Sequence, residues 1–296
     1  MSTVTRIDTN FLRGEFCGVF VVNQNNSFSI VEVGSTLSVP PILSYLEKNK
    51  ISKESVRNIF ITHVHLDHSG GAGLLLKELP NATIYTQAAG VTHIVDPHAK
   101  LVPGAVEVYG KEVFDADYPG IIGCDANRVK AMNENDVVDG FKFFEAPGHA
   151  FHHGMFFLEE LGYLFSGDAL GFGFKEMNLC PLLCTSPTQF DSKAWLQTVQ
   201  KMETLPIKVI QPTHFEPLTD VKGVLESCKR QLAVYENLIQ TNDTQEDLKK
   251  HYIEAITEEL NRYGSKSVEK AYEMIIGDIN VAGLWYRVQK RLQKKK

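Results

Sequence analysis

The chain has 296 residues, 43% of them hydrophobic, with 30 Lys and Arg against 36 Asp and Glu, for a formal net charge of −6. That length can bury one substantial core and an appendage, and the acidic balance argues against a general nucleic-acid or membrane-binding surface. No apolar run nears the roughly 20 residues that span a bilayer, residues 1–13 lack the apolar centre of a signal peptide, and five dispersed cysteines do not make a disulfide framework; the expected compartment is cytoplasmic.

Residues 16–22 and 27–33 read as two strands joined by Asn23-Gln24-Asn25-Asn26, an N-terminal hairpin. Gly34 ends it, and Ser38 with Pro40 and Pro41 announces a helix to about Lys50. Residues 56–61 are apolar and rich in β-branched side chains, which predicts a buried strand. That strand runs into Thr62-His63-Val64-His65-Leu66-Asp67-His68-Ser69-Gly70-Gly71, with three histidines and one aspartate in six positions. In extended chain, residues two apart point the same way, so His63 and His65 project together. Asp67 and His68 fall at the turn before a helix over 72–79, where Gly70, Gly71 and Gly73 leave the backbone unobstructed. A lone histidine at a strand end is usually a satisfied polar residue. Four polar groups crowded at one strand-to-helix junction need partners, and imidazoles beside a hard carboxylate suit one divalent metal ion or two.

Farther on, 82–86 predicts a short strand and 87–95 a helix, while 96–120 suggests a helix followed by a loop. His93 and His98 read first as structural residues and only second as ligand-orienting or substrate groups. Residues 137–146 form strand, turn and strand around Asp139-Gly140. The run from Ala146 to Gly154 then offers His149, His152 and His153, any of which could ligate by residue type. Strands at 155–158 and 163–165 lead to Ser166-Gly167-Asp168. The insert 169–187 is expected to overhang a site at Asp168; Phe172, Phe174, Met177 and Leu179 suit a pocket wall or plain packing. Cys180 and Cys184 form a lone C-x3-C pair, more simply buried or lining cysteines than a second metal site. Asp191 caps a helix through Trp195, Val199 and Met202 to Leu205, and a strand at 207–211 precedes Pro212-Thr213-His214. Beyond 221 the spacing is helical. One stripe is Val221, Leu225, Cys228, Leu232, Tyr235 and Ile239, continued by Leu248, Tyr252, Ile256 and Leu260. Gly264 breaks it, 268–276 resumes it and 279–292 closes it; Lys290, Arg291 and Lys294, Lys295, Lys296 read as the solvated end of that helix. A domain at 1–220 and a helical region at 221–296 follow, the latter wrapping the former or serving as a lid or dimer surface.

His63-x-His65-x-Asp67-His68 resembles the signature of the metallo-β-lactamase superfamily, in the version that holds two metals. The resemblance implies an α/β (α+β) fold, a four-layer αβ/βα sandwich with the site at one edge, here with a helical C-terminal region. It nominates His149, which follows Pro147-Gly148 as in the second motif of that superfamily, Asp168 as the bridging aspartate, and His214 as the last histidine. It further implies that His63, His65 and His149 hold one ion, that Asp67, His68 and His214 hold the other, and that His153 is structural or orients a ligand, with His152 or His153 as the fallback for His149. The implied cofactors are two divalent ions, zinc first, with iron or manganese as alternatives. The implied chemistry is attack by a metal-bridging hydroxide on a small-molecule ester, thioester or lactone, with Asp67 as the catalytic carboxylate that orients the nucleophile or takes a proton.

Within the superfamily the layout is similar to the glyoxalase II group. Asp168, however, is followed by Ala-Leu-Gly-Phe-Gly-Phe, not by the Gly-Cys-Gly-Arg-like run usual there. The 66–73 stretch, Pro-Thr-Gln-Phe-Asp at 187–191, Pro-Thr-His-Phe at 212–215 and Asn-Val-Ala-Gly at 280–283 look closer to a glyoxalase-II-like branch of hydrolases. Other classes are a mononuclear iron dioxygenase acting on a persulfide, against which the complete second set of ligands stands, and a phosphodiesterase of the same fold. A flavin-linked diiron enzyme would need a flavin domain that the residues after 220 are too few to form. A structural zinc would need only four ligands. Neither nucleic acid nor membrane is an expected partner; a homodimer is a possible assembly.

Overall fold

The computed structural model describes residues 2–294, so Lys295 and Lys296 of the expected basic end lie outside the described residues. The chain divides into two compact units: the residues up to Glu145 together with His152–Gly167, and Ala146–Phe151 together with the residues from Asp168 onward.

In the first unit the strands are β1 (Thr3–Asp8), β2 (Gly18–Gln24), β3 (Ser27–Val31), β4 (Val56–Phe60), β5 (Thr83–Gln87), β6 (Val129–Met132), β7 (Val137–Val138), β8 (Phe141–Glu145), β9 (Gly154–Leu158) and β10 (Tyr163–Gly167). Its helices are α1 (Val39–Lys48), α2 (Leu66–Ser69), α3 (Ala72–Glu78), α4 (Val91–Val95), α5 (Leu101–Tyr109) and α6 (Lys111–Asp117). Strands β1 to β6 form one sheet in sequence order, antiparallel from β1 to β3 and parallel from β3 to β6. Strands β7 to β10 pair antiparallel with their neighbours in a second sheet. Both expected hairpin turns form through left-handed residues: Asn25 and Asn26 at φ 55° and 67°, Asp139 and Gly140 at 46° and 79°. Asn, Asp and Gly tolerate that region best, and two such residues in a row match the twist of the flanking strands.

The two faces of the first sheet carry different side chains. One face is aliphatic: Val19, Val21, Ile30, Ile59 and Ile84 pack with Ile42 and Leu46 of α1 and Leu75 and Leu76 of α3. The other is aromatic: Phe20 and Phe60 meet Phe141, Phe143, Phe156 and Phe165 of the second sheet, with Phe60 and Phe141 centroids 4.4 Å apart. Each such ring or branched chain, fully buried, contributes about 1.5–3 kcal/mol, so these two layers fix the register of β4 and with it the exit point of the His63–His68 segment.

Strands β1 and β6 are not among the elements expected from the sequence. Both are edge strands of the first sheet, and the pattern of β1 mixes exposed and half-buried positions, which hides its period. The stretch expected as a helix and a loop is two short helices, α5 and α6, neither of which buries a residue fully. The 87–95 expectation shrinks to α4 preceded by a 3-10 turn.

The second unit holds α7 (Ser192–Met202), β11 (Val209–Pro212), α8 (Val221–Thr241), α9 (Gln245–Arg262), α10 (Val268–Met274) and α11 (Gly277–Gln293). Asp191 caps α7, its side chain accepting from the Ala194 amide at 3.0 Å. The predicted stripe on α8 and α9 is the buried one, with Leu232, Tyr235, Tyr252, Ile256 and Leu260 at its centre and the two tyrosine rings 5.7 Å apart. Gly264, at φ +72°, ends the segment that α9 occupies, as expected. No helix among the described residues is long and apolar enough to cross a membrane.

Candidate metal centre

In the first unit, β4 delivers Thr62 and His63 into a buried position, and α2 begins at Leu66, so that Asp67 and His68 fall in its single turn. The predicted co-projection of His63 and His65 holds: His63 Nε2 lies 2.9 Å from His65 Nδ1. His68 sits against the same ring, at 4.0 Å between centroids, and its Nε2 is 3.7 Å from Asp67 Oδ2.

The organiser of this set is Glu32, a residue absent from the sequence-based candidates. It is 1% exposed and stands at the end of β3 with φ +67°. Oε1 accepts hydrogen bonds from Thr62 Oγ1 at 2.6 Å and from His68 Nδ1 at 3.0 Å. An ionised carboxylate can only accept, so the Thr62 hydroxyl donates to Glu32 and its oxygen accepts the His63 Nδ1–H hydrogen bond, 3.1 Å away. One buried carboxylate thereby sets two tautomers and puts the ring lone pairs of His63 and His68 on Nε2. The signal in the sequence is an acid embedded in the apolar run Ile30-Val31-Glu32-Val33. A buried charge in such a place needs a dedicated partner.

Around them stand further imidazoles. His153 stacks on His63 at 4.6 Å, and His152 meets His65 edge-on at 5.6 Å. Gly167, at φ +50°, makes room for this packing: a Cβ there would lie 2.5 Å from Thr62 Oγ1 and 2.7 Å from His153 Nε2. His93 is half-buried with its ring 6.1 Å from that of His152, and its pKa is lowered by burial and then by Lys100. His98 instead pairs through Nε2 with the Ile121 carbonyl, 3.0 Å away, a structural role. Asp67 is backed by Cys17, whose Sγ–H donates to its carbonyl at 3.2 Å. Nearby Tyr118 has its phenol pushed well above the usual range, first by burial and then by the Asp67 charge.

In the second unit, Asp168 faces two histidines. Its Oδ2 is 3.5 Å from His149 Nε2 and its Oδ1 is 3.6 Å from His214 Nε2, and all three residues are buried. The His149 Nδ1–H donates to the Cys184 carbonyl at 2.7 Å, which fixes the tautomer and puts the lone pair on Nε2. Gly148 precedes it at φ +141°, and a Cβ there would lie 2.2 Å from the Trp195 Cβ, so α7 packs directly on the His149 loop. His214 is held from the insert: the Gly173 amide donates to its carbonyl at 2.5 Å and the Phe172 ring lies 4.7 Å from its own. Phe172 and Phe174 lie against His214, with ring centroids 4.7 and 6.4 Å from its own; Met177 is buried and Leu179 half-buried. Cys180 and Cys184 form no disulfide, and burial pushes the Cys180 thiol up.

The donor chemistry fits divalent metal ions in each unit taken separately. Two ring nitrogens 2.9 Å apart, one of them carrying a lone pair, are held best with a proton or a cation between them. The 3.5 and 3.6 Å gaps at Asp168 are long for hydrogen bonds. They match the spacing of about 3.4 Å between two ligand atoms each about 2.1 Å from one tetrahedral ion.

Residues 12–214, from the N-terminal loop through His214, match the sequence model of the metallo-beta-lactamase superfamily. The chain belongs to that superfamily. A hydroxyacylglutathione hydrolase of Salmonella paratyphi A is 29% identical over 154 residues, which take in 51% of this chain and 45% of that relative; the match therefore spans less than half of the relative's length. Among solved structures, an archaeal superfamily protein from Sulfolobus tokodaii superposes with a TM-score of 0.64 at 21% identity, covering 95% of this chain and 97% of that one. A metallo-beta-lactamase family protein from Thermus thermophilus gives 0.67 at 17% identity, covering 99% and 94%. The fold expected from the motif is the fold observed, with the helical C-terminal region α8 to α11.

Proposed function

We propose that the chain is a binuclear metal-dependent hydrolase of a small-molecule ester, thioester or lactone. Its metal ligands are His63, His65, Asp67, His68, His149, Asp168 and His214, divided between two ions as the superfamily pattern has it. The observation that carries the reading is Asp168, with an imidazole nitrogen beside each carboxylate oxygen at 3.5 and 3.6 Å. A carboxylate so flanked is suited to bridge two cations. The name of the Salmonella relative supports a thioester among the substrates, whereas the Ala-Leu-Gly-Phe-Gly-Phe run after Asp168 departs from the glyoxalase II pattern. The acyl group is therefore left broader than a glutathione conjugate.

Divalent ions, when bound, supply Lewis acidity that makes water a nucleophile near neutral pH and draws charge from the electrophile. This chain's residues do the remainder. Glu32 holds the rings of His63 and His68 at the tautomers that ligation requires. Asp67, at 18% side-chain exposure, is the least buried carboxylate of the set and accepts the proton of the attacking water at Oδ before passing it to the leaving group. Burial of His63, His68, His149 and His214 keeps bulk water off the ligand nitrogens. Zinc is the proposed ion, with iron or manganese as alternatives. A cytoplasmic location and, as an assembly, a homodimer complete the reading, without nucleic acid or membrane as partner.

The test is metal content of protein purified without added metal, alongside Asp168→Ala, followed by a screen of thioesters, lactones and phosphodiesters. About two ions per chain, falling sharply in the variant, together with turnover of an acyl substrate, is the expected result. One iron per chain that survives removal of His214 would overturn the two-metal reading and favour oxygen chemistry.

A further inference from the structure

We infer that helix α11 positions the ligand His149 through Asn280, acting by way of residues 184–186; the inference rests on the reading of His149 as a metal ligand. Asn280 opens the Asn280-Val281-Ala282-Gly283 run, which the metal chemistry leaves without a task. It is fully buried, and its polar atoms are committed. Oδ1 accepts from the Thr185 amide at 2.5 Å, and Nδ2 donates to the Ile275 carbonyl at 2.8 Å. Its own carbonyl accepts from Thr185 Oγ1 at 2.7 Å. An amide N–H can only donate and a carbonyl can only accept, so these partners fix which way the Asn280 side chain points.

The two neighbours of Thr185 hold His149. The Cys184 carbonyl accepts the His149 Nδ1 proton at 2.7 Å, and Ser186 Oγ donates to the His149 carbonyl at 2.8 Å. Three consecutive residues thus grip the ligand ring, the ligand backbone and α11. Gly283, three residues on from Asn280 and so on the same helix face, lets the helix come this close. A Cβ at Gly283 would lie 2.8 Å from the Thr185 carbonyl oxygen. The Cys184 carbonyl decides the angle and tautomer of the imidazole, and Asn280 decides where that carbonyl stands. Groups that orient a ligand in this way typically carry about 10–100-fold in metal affinity.

The experiment is a double-mutant cycle on the full chain, stripped of metal and titrated with Zn2+ in competition with a chromophoric chelator. The variants are Asn280→Ala, His149→Ala and the pair. Asn280→Ala is expected to weaken Zn2+ binding about 10–100-fold. In the His149→Ala background Asn280→Ala should cost little more, because the orienting device then has nothing to orient. Additive losses would mean that α11 only stabilises the fold, and would overturn the inference. If His149→Ala leaves Zn2+ binding intact, the ligand reading itself fails, an outcome separate from the first. Should Asn280→Ala not fold, Thr185→Val removes one bond of the same clamp at nearly constant shape. The same cycle then applies, with non-additivity expected and additivity fatal.

Discussion

The two units hold their candidate ligands by different means. In the first, His63, His65, Asp67 and His68 come from one short segment, and a buried side-chain carboxylate, Glu32, sets the tautomers of two of them. In the second, His149, Asp168 and His214 come from three separate segments, and main-chain carbonyls and close-packed glycines do the holding. A side-chain organiser can be deleted by one substitution. A main-chain organiser is disturbed only through the backbone that carries it, by overpacking against that backbone or by removing a group that holds it, as Asn280 holds Thr185.

The largest effect expected is at the shared carboxylate. Asp168→Ala removes the partner of both His149 and His214, and metal affinity measured by chelator competition should drop by more than about 100-fold, beyond the range seen for groups that merely orient a ligand. Next comes the main-chain side of the comparison. Gly148→Ala forces a Cβ into Trp195 at a backbone angle of φ +141°, and urea unfolding should show a loss of about 3 kcal/mol from overpacking and backbone strain together. On the side-chain side, Glu32→Gln keeps the shape but removes the charge that holds the Thr62 and His68 protons. Metal affinity should fall about 10–100-fold. If Glu32→Gln binds metal as the parent does, the division between the two kinds of organiser collapses. The smallest effect is a control away from both sets: Lys111→Ala breaks an exposed i,i+4 pair with Asp115 on α6 and should change stability by less than about 0.5 kcal/mol.

The same contrast explains what can be read from the sequence. A contiguous cluster declares itself, because period-two geometry at the end of a β-branched strand puts His63 and His65 on one side without knowledge of the rest of the chain. The separated residues His149, Asp168 and His214 are nominated only by resemblance, since residue type alone leaves His152 and His153 as equals of His149. In the structure His152 and His153 pack on His65 and His63, whereas His149 Nε2 lies 3.5 Å from Asp168 Oδ2. The hairpins and the C-terminal helices are legible because turn chemistry and helical stripes are local signals. The edge strands β1 and β6 are not, because edge strands lie half in solvent and blur the alternation. Glu32 escapes notice for a related reason. Its partners, Thr62 and His68, lie 30 and 36 residues away, and no local pattern announces a contact at that range.

The contact of α7 with the His149 loop also gives the molecule an optical reporter. The chain has two tryptophans, and Trp195 is the fully buried one, its Nε1–H donating to the Ala169 carbonyl at 2.6 Å. Its indole meets the His149 imidazole edge-on, with centroids 5.8 Å apart. The brightness of an indole depends on the charge of the ring beside it, and an imidazole that gains a proton or a cation at Nε2 changes that charge without moving far. If His149 ligates a metal ion as proposed, intrinsic fluorescence of the unlabelled protein should change on metal addition, with Trp195→Phe supplying the background from half-buried Trp285.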